Sequence, residues 1–348
     1  MGERDLRYLN NAGTSWPKAP GCTQTVVEVM RADPRTYGAL FEQARADIAE
    51  SLGVSIPSQL SLTPGCTSAL ATAMRRIRWA PGDAVLTSAV EHEAVLAPIR
   101  DLVRNVGIEH RIVPYRQGDA FDLERYEAML ADGNVRWVVV TAASNVTGEC
   151  LPVAEIVALA RTQGARVLLD AAQVAGLLPL DFESLGVDVV AFAGHKGPLA
   201  PLGVGGLWLA ETSSIDIGFC DVGSVDLPSA VAMSRGLKWL GSDAAPQPGT
   251  AASLRNELRA ALVRHPGCHV FGEAGPSTGV VSACFDALPI EKAEAVFAAE
   301  DIVVRAGRHC AASTVEMLGA PEGTVRFSFG RQNRPDDVDA VMRVVAAL

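Results

Sequence analysis

A lysine and an aspartate each follow an apolar run in this chain. Lys196 lies in the loop Ala-Gly-His-Lys-Gly-Pro just after the run 187–192, and Asp170 ends the run 166–170. Such runs predict buried strands, and open α/β folds bind ligands beyond the carboxyl ends of their strands. A lysine there can form a Schiff base with pyridoxal phosphate (PLP), and a carboxylate can keep the pyridine nitrogen protonated. The pair favours a PLP-dependent enzyme over two simpler alternatives, a solvated loop lysine and an aspartate that caps a helix.

Two further stretches could contact such a cofactor. Cys66 and Thr67 follow Gly65 at the start of a predicted helix, where free N–H groups and the helix dipole favour a phosphate. An ordinary N-cap by Thr67 is the alternative. His92 follows the predicted strand 84–87, so its imidazole could stack on the cofactor ring and exchange protons. An exposed histidine that starts a helix would explain His92 equally well.

A cysteine and an arginine near the carboxyl terminus could act on a substrate. Cys310 lies close in sequence to Arg305, Arg308 and His309, whose positive charge would favour the thiolate. The alternative is a small buried residue. Arg326 lies in an otherwise uncharged predicted strand. A planar guanidinium there suits a substrate carboxylate, although a structural ion pair would also explain it.

The composition indicates a globular enzyme. The 348 residues are 49% hydrophobic and 20% charged, with a formal net charge of -10, which fits a well-packed chain. An acidic protein does not favour nucleic acid or an acidic membrane as a partner. Seven cysteines without a C-x-x-C pair favour a reduced, cytoplasmic compartment. We expect no signal peptide, no membrane span and no metal site.

The order of predicted elements indicates an α/β fold with two domains. Strands are expected at 84–87, 110–114, 135–141, 166–170, 187–192 and 204–209. Helical stretches between most of them predict a largely parallel sheet. A smaller α+β domain is expected from a helix at 250–264, strands at 279–285 and 324–329, and a closing helix from about Pro335. Residues 211–235 look irregular. We therefore divide the chain into an N-terminal substrate-loop segment (1–20), a large domain (21–235) and a small domain (236–348).

Several stretches together resemble the class V aminotransferase family of fold type I PLP enzymes, and within it the cysteine desulfurase and selenocysteine lyase branch. The resemblance covers most of the chain and rests on motifs in the family's order. They are YLNNAGTSWPK at 8–18, SNVTG at 144–148, DAAQ at 170–173, GHK at 194–196 and RAGRHCA at 305–311. The resemblance implies a homodimeric enzyme that converts L-cysteine to L-alanine and holds the sulfur as a persulfide on Cys310. It also allows a sulfur-acceptor protein as a partner.

The resemblance implies a role for each site residue. Lys196 would hold PLP, Asp170 would pair with the ring nitrogen, and His92 would stack on the ring. The other cofactor contacts would be Gln173 and Asn145 at the ring oxygen, and Cys66, Thr67 and His195 around the phosphate. The substrate would be bound by Gly13, Asn145 and Arg326, and attacked at sulfur by Cys310.

The chain also departs from the family's pattern. Ala193 stands in place of a Ser or Thr phosphate donor, Cys66 in place of a threonine and Asn10 in place of an aspartate. The region 223–236 looks shorter than the segment that reaches the partner subunit's phosphate in related enzymes. Each lost phosphate contact would cost about 1.5–3 kcal/mol if charge-assisted. Two other readings stay open: a PLP-dependent C–S lyase, aminotransferase or epimerase that does not need Cys310, and a non-catalytic scaffold on the same fold.

Overall fold

A seven-stranded sheet forms the centre of the computed structural model, which describes residues 6–115, 121–211, 225–247 and 249–348. Its strands are β2 (Leu60–Thr63), β3 (Ala84–Ser88), β4 (Glu109–Val113), β5 (Val135–Thr141), β6 (Arg166–Asp170), β7 (Val189–Ala193) and β8 (Gly205–Leu209). Their order across the sheet is β2-β8-β7-β6-β5-β3-β4. Strand β8 runs antiparallel to the six other strands of this sheet, which are parallel to one another. The predicted, mainly parallel sheet is confirmed. Its six parallel strands all have their carboxyl ends at the same edge of the sheet.

Helices cover both faces of this sheet because its strands are apolar on both sides. Val138 and Val140 of β5 join one core, whereas Trp137 and Val139 join the other. The first core includes residues of α2 (Tyr37–Ser51), α5 (Leu123–Ala131), α6 (Val153–Thr162) and α7 (Leu227–Leu240). The second includes residues of α3 (Cys66–Arg76) and α4 (Glu93–Val106). Helix α1 (Cys22–Arg31) packs against α7.

A second, smaller sheet lies in the carboxyl-terminal part of the chain. Its antiparallel strands are β9 (Cys268–Phe271), β10 (Val280–Phe285), β12 (Arg305–Gly307) and β13 (Thr324–Ser328), in the order β12-β13-β10-β9. Three helices share a core with it: α8 (Thr250–Val263), α9 (Ile290–Ala298) and α11 (Pro335–Val345). The short α10 (Ala312–Met317) follows the loop that carries Cys310.

The N-terminal segment belongs to this smaller unit by its contacts. Strand β1 (Arg7–Tyr8) pairs in parallel with β11 (Ile302–Val303). Leu9 is fully buried in the core of the smaller unit. The chain then crosses to the large sheet, so the segment connects the two units. No helix among the described residues is long and apolar enough to span a membrane.

Helix α7 corrects one prediction. The stretch 211–235 was expected to be irregular, which is wrong for residues 227–235; residues 212–224 lie outside the described part of the chain. The side chain of Asp226 caps the helix by accepting a hydrogen bond from Ser229 N at 3.1 Å, and Pro228 is tolerated in the first turn. A Cβ at Gly236 would lie 2.3 Å from Pro198 O. Only glycine therefore lets this helix approach the loop that follows Lys196.

Candidate active site

The carboxyl ends of the large sheet's strands surround a cavity of about 150 Å³. Asp170 ends β6, Lys196 follows β7, His92 follows β3, and Cys66 begins α3 after β2. This edge is where an open α/β sheet binds ligands. All eight residues predicted to bind the cofactor line the cavity: Cys66, Thr67, His92, Asn145, Asp170, Gln173, His195 and Lys196.

Asp170 and Lys196 supply opposite charges to this cavity. The Asp170 side chain is buried, and its Oδ1 accepts hydrogen bonds from Ala172 N at 2.9 Å and Cys66 Sγ at 3.3 Å. Burial lowers the pKa of Lys196, while the nearby carboxylate of Asp170 opposes that shift. A lowered pKa increases the fraction of neutral amine, which is the form that attacks an aldehyde.

The loop that carries Lys196 is held by the N-terminal segment. The carbonyl oxygen of His195 accepts hydrogen bonds from Ser15 N at 2.9 Å and from Thr14 Oγ1 and Lys18 Nζ at 3.0 Å each. Burial lowers the pKa of Lys18 to about 8. Sequence reasoning gave Lys18 no role. The feature of the sequence that could have indicated this role is a lysine close to two hydroxyl residues in a short polar loop.

Two histidines of the cavity are neutral. Nδ1 of His92 accepts a hydrogen bond from Ala94 N at 3.0 Å, which leaves the ring proton on Nε2. Burial lowers the pKa of His92, and it lowers the pKa of His195 to about 4. Nδ1 of His195 is buried and has no hydrogen-bond partner among the described residues. Each imidazole can therefore offer a neutral N–H group to a ligand.

Two amide side chains, those of Asn145 and Gln173, complete this side of the cavity. Nδ2 of Asn145 donates to His309 O at 2.8 Å, while its Oδ1 is buried and has no partner in the described part of the chain. Nε2 of Gln173 donates to Ala12 O at 3.2 Å. Gly13 does not line the cavity; its N–H donates to Asn10 O at 3.0 Å. Because buried polar atoms are normally paired, the free oxygen of Asn145 indicates a ligand at this position.

The Cys310 loop docks against the large domain next to the cavity. His309 and Cys310 both have left-handed backbones, with φ of 54° and 53°. Glu93 N donates to Cys310 O at 2.8 Å, and Asn145 holds the preceding carbonyl as described above. The Cys310 side chain is exposed and does not line the cavity. The thiol is thus presented to solvent from a loop that is fixed at its backbone, adjacent to His92.

The charges around Cys310 differ from the expectation. Burial lowers the pKa of His309 to about 3, and its Nε2 lies 2.9 Å from Thr324 Oγ1. A positive charge on His309 was therefore wrongly predicted. The other two neighbouring cations are paired with acids: Arg305 Nη1 is 3.2 Å from Glu294 Oε1, and Arg308 Nη1 is 3.7 Å from Glu316 Oε1.

Arg326 is a buried cation whose hydrogen-bond partners in the described part of the chain are neutral. It is 4% exposed and donates to Asn145 O and to Asn10 Oδ1, each at 3.1 Å, while its Nε has no partner among the described residues. Burial lowers its pKa to about 10, and the Cys310 side chain opposes this shift. No acid pairs with it within the described ranges, where its hydrogen-bond partners are Asn145 O and Asn10 Oδ1, so the alternative of a structural ion pair is not found there. A buried charge normally needs a counter-charge, which a substrate carboxylate would provide.

A buried acid under the site was missed by sequence reasoning. Glu91 is fully buried, and its Oε1 accepts hydrogen bonds from Ser88 Oγ at 2.5 Å and Thr141 N at 3.0 Å. Burial raises its pKa to about 8. The protonated acid ties the end of β3 to the end of β5, directly before His92. The sequence feature that could have indicated Glu91 is an acidic residue between an apolar strand and a candidate histidine.

These groups fit PLP in kind and in position. Lys196, Asp170 and His92 all line the cavity, so an amine for the aldehyde, a carboxylate for the ring nitrogen and an imidazole for the ring would be available there. The first N–H groups of α3 lie at the cavity and suit a phosphate. Ala193 also lines the cavity and offers no side-chain donor, as expected from its type.

Comparison with known proteins agrees with this geometry. The sequence profile of the family described as Aminotransferase class-V matches residues 26–217 and 220–341. A probable cysteine desulfurase of Pseudomonas aeruginosa is 30% identical over 328 residues, which covers 86% of this chain and 80% of that protein. The crystal structure of the cysteine desulfurase CsdA of Escherichia coli matches with a TM-score of 0.87 at 25% identity, over 98% of this chain and 94% of that chain.

A more distant likeness concerns the fold alone. The structure of the cystine C–S lyase C-DES with cysteine persulfide has a TM-score of 0.83 at 22% identity, over 98% of this chain and 97% of that chain. The predicted fold type I architecture and the PLP cofactor are confirmed by these matches together with the family profile. The chain belongs to the class-V aminotransferase family.

Proposed function

We propose that this PLP-dependent enzyme is a cysteine desulfurase, which converts L-cysteine to L-alanine and takes the sulfur on Cys310. The observation that carries the proposal is an exposed thiol on a loop that docks beside the cofactor cavity. The Cys310 side chain is exposed, and its carbonyl oxygen accepts a hydrogen bond from Glu93 N at 2.8 Å, next to His92. A C–S lyase or aminotransferase would need the cavity but would not need that thiol.

The chain's own residues would position the reactants as follows. Arg326 would hold the substrate carboxylate, with Gly13 and Asn145 beside it. Lys196 would hold PLP, and it would carry protons once the substrate amine has taken its place. The remaining cofactor contacts would come from the other cavity-lining residues named above: Cys66, Thr67, His92, Asn145, Asp170, Gln173 and His195. PLP itself supplies the electron-withdrawing ring that lets carbon next to the substrate amine bear negative charge.

The sulfur step balances without a further reactant. The Cys310 sulfur attacks the sulfur of the substrate, so an S–S bond forms and the substrate's C–S bond breaks. The electron pair of that C–S bond remains with the substrate carbon, which then takes a proton to become the methyl group of alanine. Neutral His92, with its proton on Nε2, and Lys196 are the groups that can deliver and remove protons in the cavity. Cys310 ends as a persulfide.

We also propose a cytoplasmic homodimer that transfers its persulfide sulfur to an acceptor protein. The resemblance to the desulfurase branch supports this assembly, and the exposure of Cys310 supports transfer to a partner. The division of the chain at 20/21 and 235/236 stays a proposal too. Helix α7 crosses the second boundary, so the change from one unit to the other follows that helix more naturally.

Alanine formation tests the proposed function. Purified protein with PLP, L-cysteine and a thiol reductant should release alanine and sulfide in equal amounts, and Cys310→Ser should release neither. The control is Cys268→Ser, which changes a partly buried thiol in the smaller sheet. Pyruvate and ammonia in place of alanine would show a C–S lyase. Bound PLP with no turnover of any amino acid would instead support the scaffold reading.

A further inference from the structure

One buried contact in the cavity has no part in the proposed reaction. The thiol sulfur of Cys66 lies 3.3 Å from Oδ1 of Asp170. Cys66 is the first residue of α3 and is 8% exposed, and Asp170, the last residue of β6, is 3% exposed. The contact therefore joins two elements across the floor of the cavity that both residues line.

The thiol is the donor in this contact. Burial raises the pKa of Cys66 well above its ordinary value, and the neighbouring carboxylate of Asp170 raises it further, although Lys196 acts in the opposite direction. The proton therefore stays on sulfur, and the carboxylate accepts. A thiol is a weak donor, but a hydrogen bond to a charged acceptor is stronger than one between neutral groups.

The contact occupies only one oxygen of the carboxylate. The same Oδ1 also accepts from Ala172 N at 2.9 Å. Oδ2 has no hydrogen-bond partner among the described residues, and Asp170 borders the cavity. The last side-chain torsion of an aspartate is soft, so one backbone donor alone would let the carboxylate turn. Two donors from different directions fix its plane.

We propose that Cys66 is a positioning residue that holds the carboxylate of Asp170 with Oδ2 directed at the pyridine nitrogen of PLP. This rests on the proposed contact between Asp170 and that nitrogen. An alanine at position 66 would leave Oδ1 with a single donor and release the carboxylate. A serine would keep a donor at the same place.

The test compares PLP with a deaza analogue that has CH in place of the ring nitrogen and keeps the aldehyde and phosphate. Equilibrium dissociation constants of both compounds are measured for the apo forms of the wild type, Cys66→Ala and Cys66→Ser. Cys284→Ala is the matched control, because the Cys284 thiol also donates one hydrogen bond, to Gly323 O at 3.4 Å, in the smaller unit.

The expected result is specific to the ring nitrogen. The wild type prefers PLP to the analogue, Cys66→Ala reduces that preference about three- to tenfold, and its affinity for the analogue is unchanged. Cys66→Ser and Cys284→Ala keep the full preference. Thermal unfolding of each apo form checks that the variants are folded, and Cys66→Val, which also removes the donor and is similar in size to cysteine, replaces Cys66→Ala if the alanine variant is not folded.

Three results would overturn the inference. An equal loss of affinity for both compounds in Cys66→Ala would mean that Cys66 only packs, and an unchanged preference would mean that it does not act on Asp170. If the wild type itself shows no preference, the contact between Asp170 and the ring nitrogen is wrong, and the inference fails with it. Failure of the alanine assay would leave this binding result intact, so the two proposals fail separately.

Discussion

Replacing Arg326 with glutamine tests the substrate site most directly. The guanidinium is 4% exposed and its Nε lacks a partner among the described residues, so a carboxylate bound there would receive hydrogen bonds from a desolvated cation. Each charge-assisted bond contributes about 1.5–3 kcal/mol. Two such bonds at the lower value give about 3 kcal/mol, or roughly a 100-fold loss in kcat/KM for L-cysteine.

The control is Arg305→Gln. Arg305 is the β-sheet register partner of Arg326, but it is exposed and paired with Glu294. The Arg305→Gln variant should keep the wild-type kcat/KM for L-cysteine. Stability of the apo protein should not fall in Arg326→Gln, because the arginine has no acid partner in the described part of the chain and its burial carries a desolvation cost.

Initial rates of alanine formation against L-cysteine concentration give kcat and KM, and competition by cysteamine, which lacks the carboxylate, isolates the contact. The wild type should prefer L-cysteine to cysteamine, and Arg326→Gln should lose most of this preference while PLP binding persists. An unchanged preference would refute the assignment of Arg326 to the carboxylate. A large loss in Arg305→Gln as well would mean that net charge, and not the buried contact, governs binding.

Three further predictions address other groups. Lys196→Ala should lose the visible absorbance band of covalently held PLP, measured by spectroscopy after gel filtration; a band that survives would reject Lys196 as the attachment site. Cys310→Ala should keep that band and stop alanine release, assayed by amino-acid analysis, and continued release would favour a reaction without a persulfide. Burial raises the pKa of Glu91 from its ordinary 4.5 to about 8, so its contribution to stability is present below pH 4.5 and is lost as pH rises to about 8. Glu91→Gln should remove about 3–4 kcal/mol of decline between pH 5 and pH 8, measured by urea unfolding of the apo protein at those two pH values; parallel pH profiles for both proteins would contradict it.

The sequence predicted the large sheet well because buried parallel strands are continuous apolar runs. Strand β5 was placed at its observed bounds, and β6 was too. The strand-end positions of Asp170 and Lys196 then brought both to one edge, since parallel strands end together. The same reasoning missed helix α7, whose start contains Pro228 and whose stability comes from burying most of its length against neighbouring helices.

Contacts between distant residues could not be read from the chain. The hydrogen bond of Cys66 to Asp170 spans 104 positions, and the contacts of Lys18 and Thr14 with His195 O span 177 and 181. Nothing local to these residues indicates the partner. They follow from the packing of α3 and the N-terminal segment onto the strand ends, which depends on the whole core.

The charge states of the site residues also could not be predicted from the sequence, and they determine which residues can bind a charged ligand. The sequence shows acids, histidines and arginines close to the predicted site, which looks like a crowded set of charges. Burial removes most of them: Glu91 is protonated near neutral pH, and the three histidines of the site, His92, His195 and His309, are neutral. The ionisable groups Lys196 and Asp170 still line the cavity, and Arg326 contacts its lining at Asn145 O, while Arg305 and Arg308 near Cys310 are paired with acids.

This arrangement separates the tasks of binding and proton transfer. Two cations and one anion can fix the ends of a charged ligand, because each acts over a distance in a desolvated site. The imidazole of His92 is neutral, so it adds no positive charge beside Lys196 and Arg326 before a proton step begins. We therefore expect substitutions of Arg326 to weaken the binding of L-cysteine, and substitutions of Asp170 to weaken the binding of PLP. Substitutions of His92 should lower kcat for alanine formation while leaving the KM for L-cysteine close to that of the wild type, measured at saturating PLP.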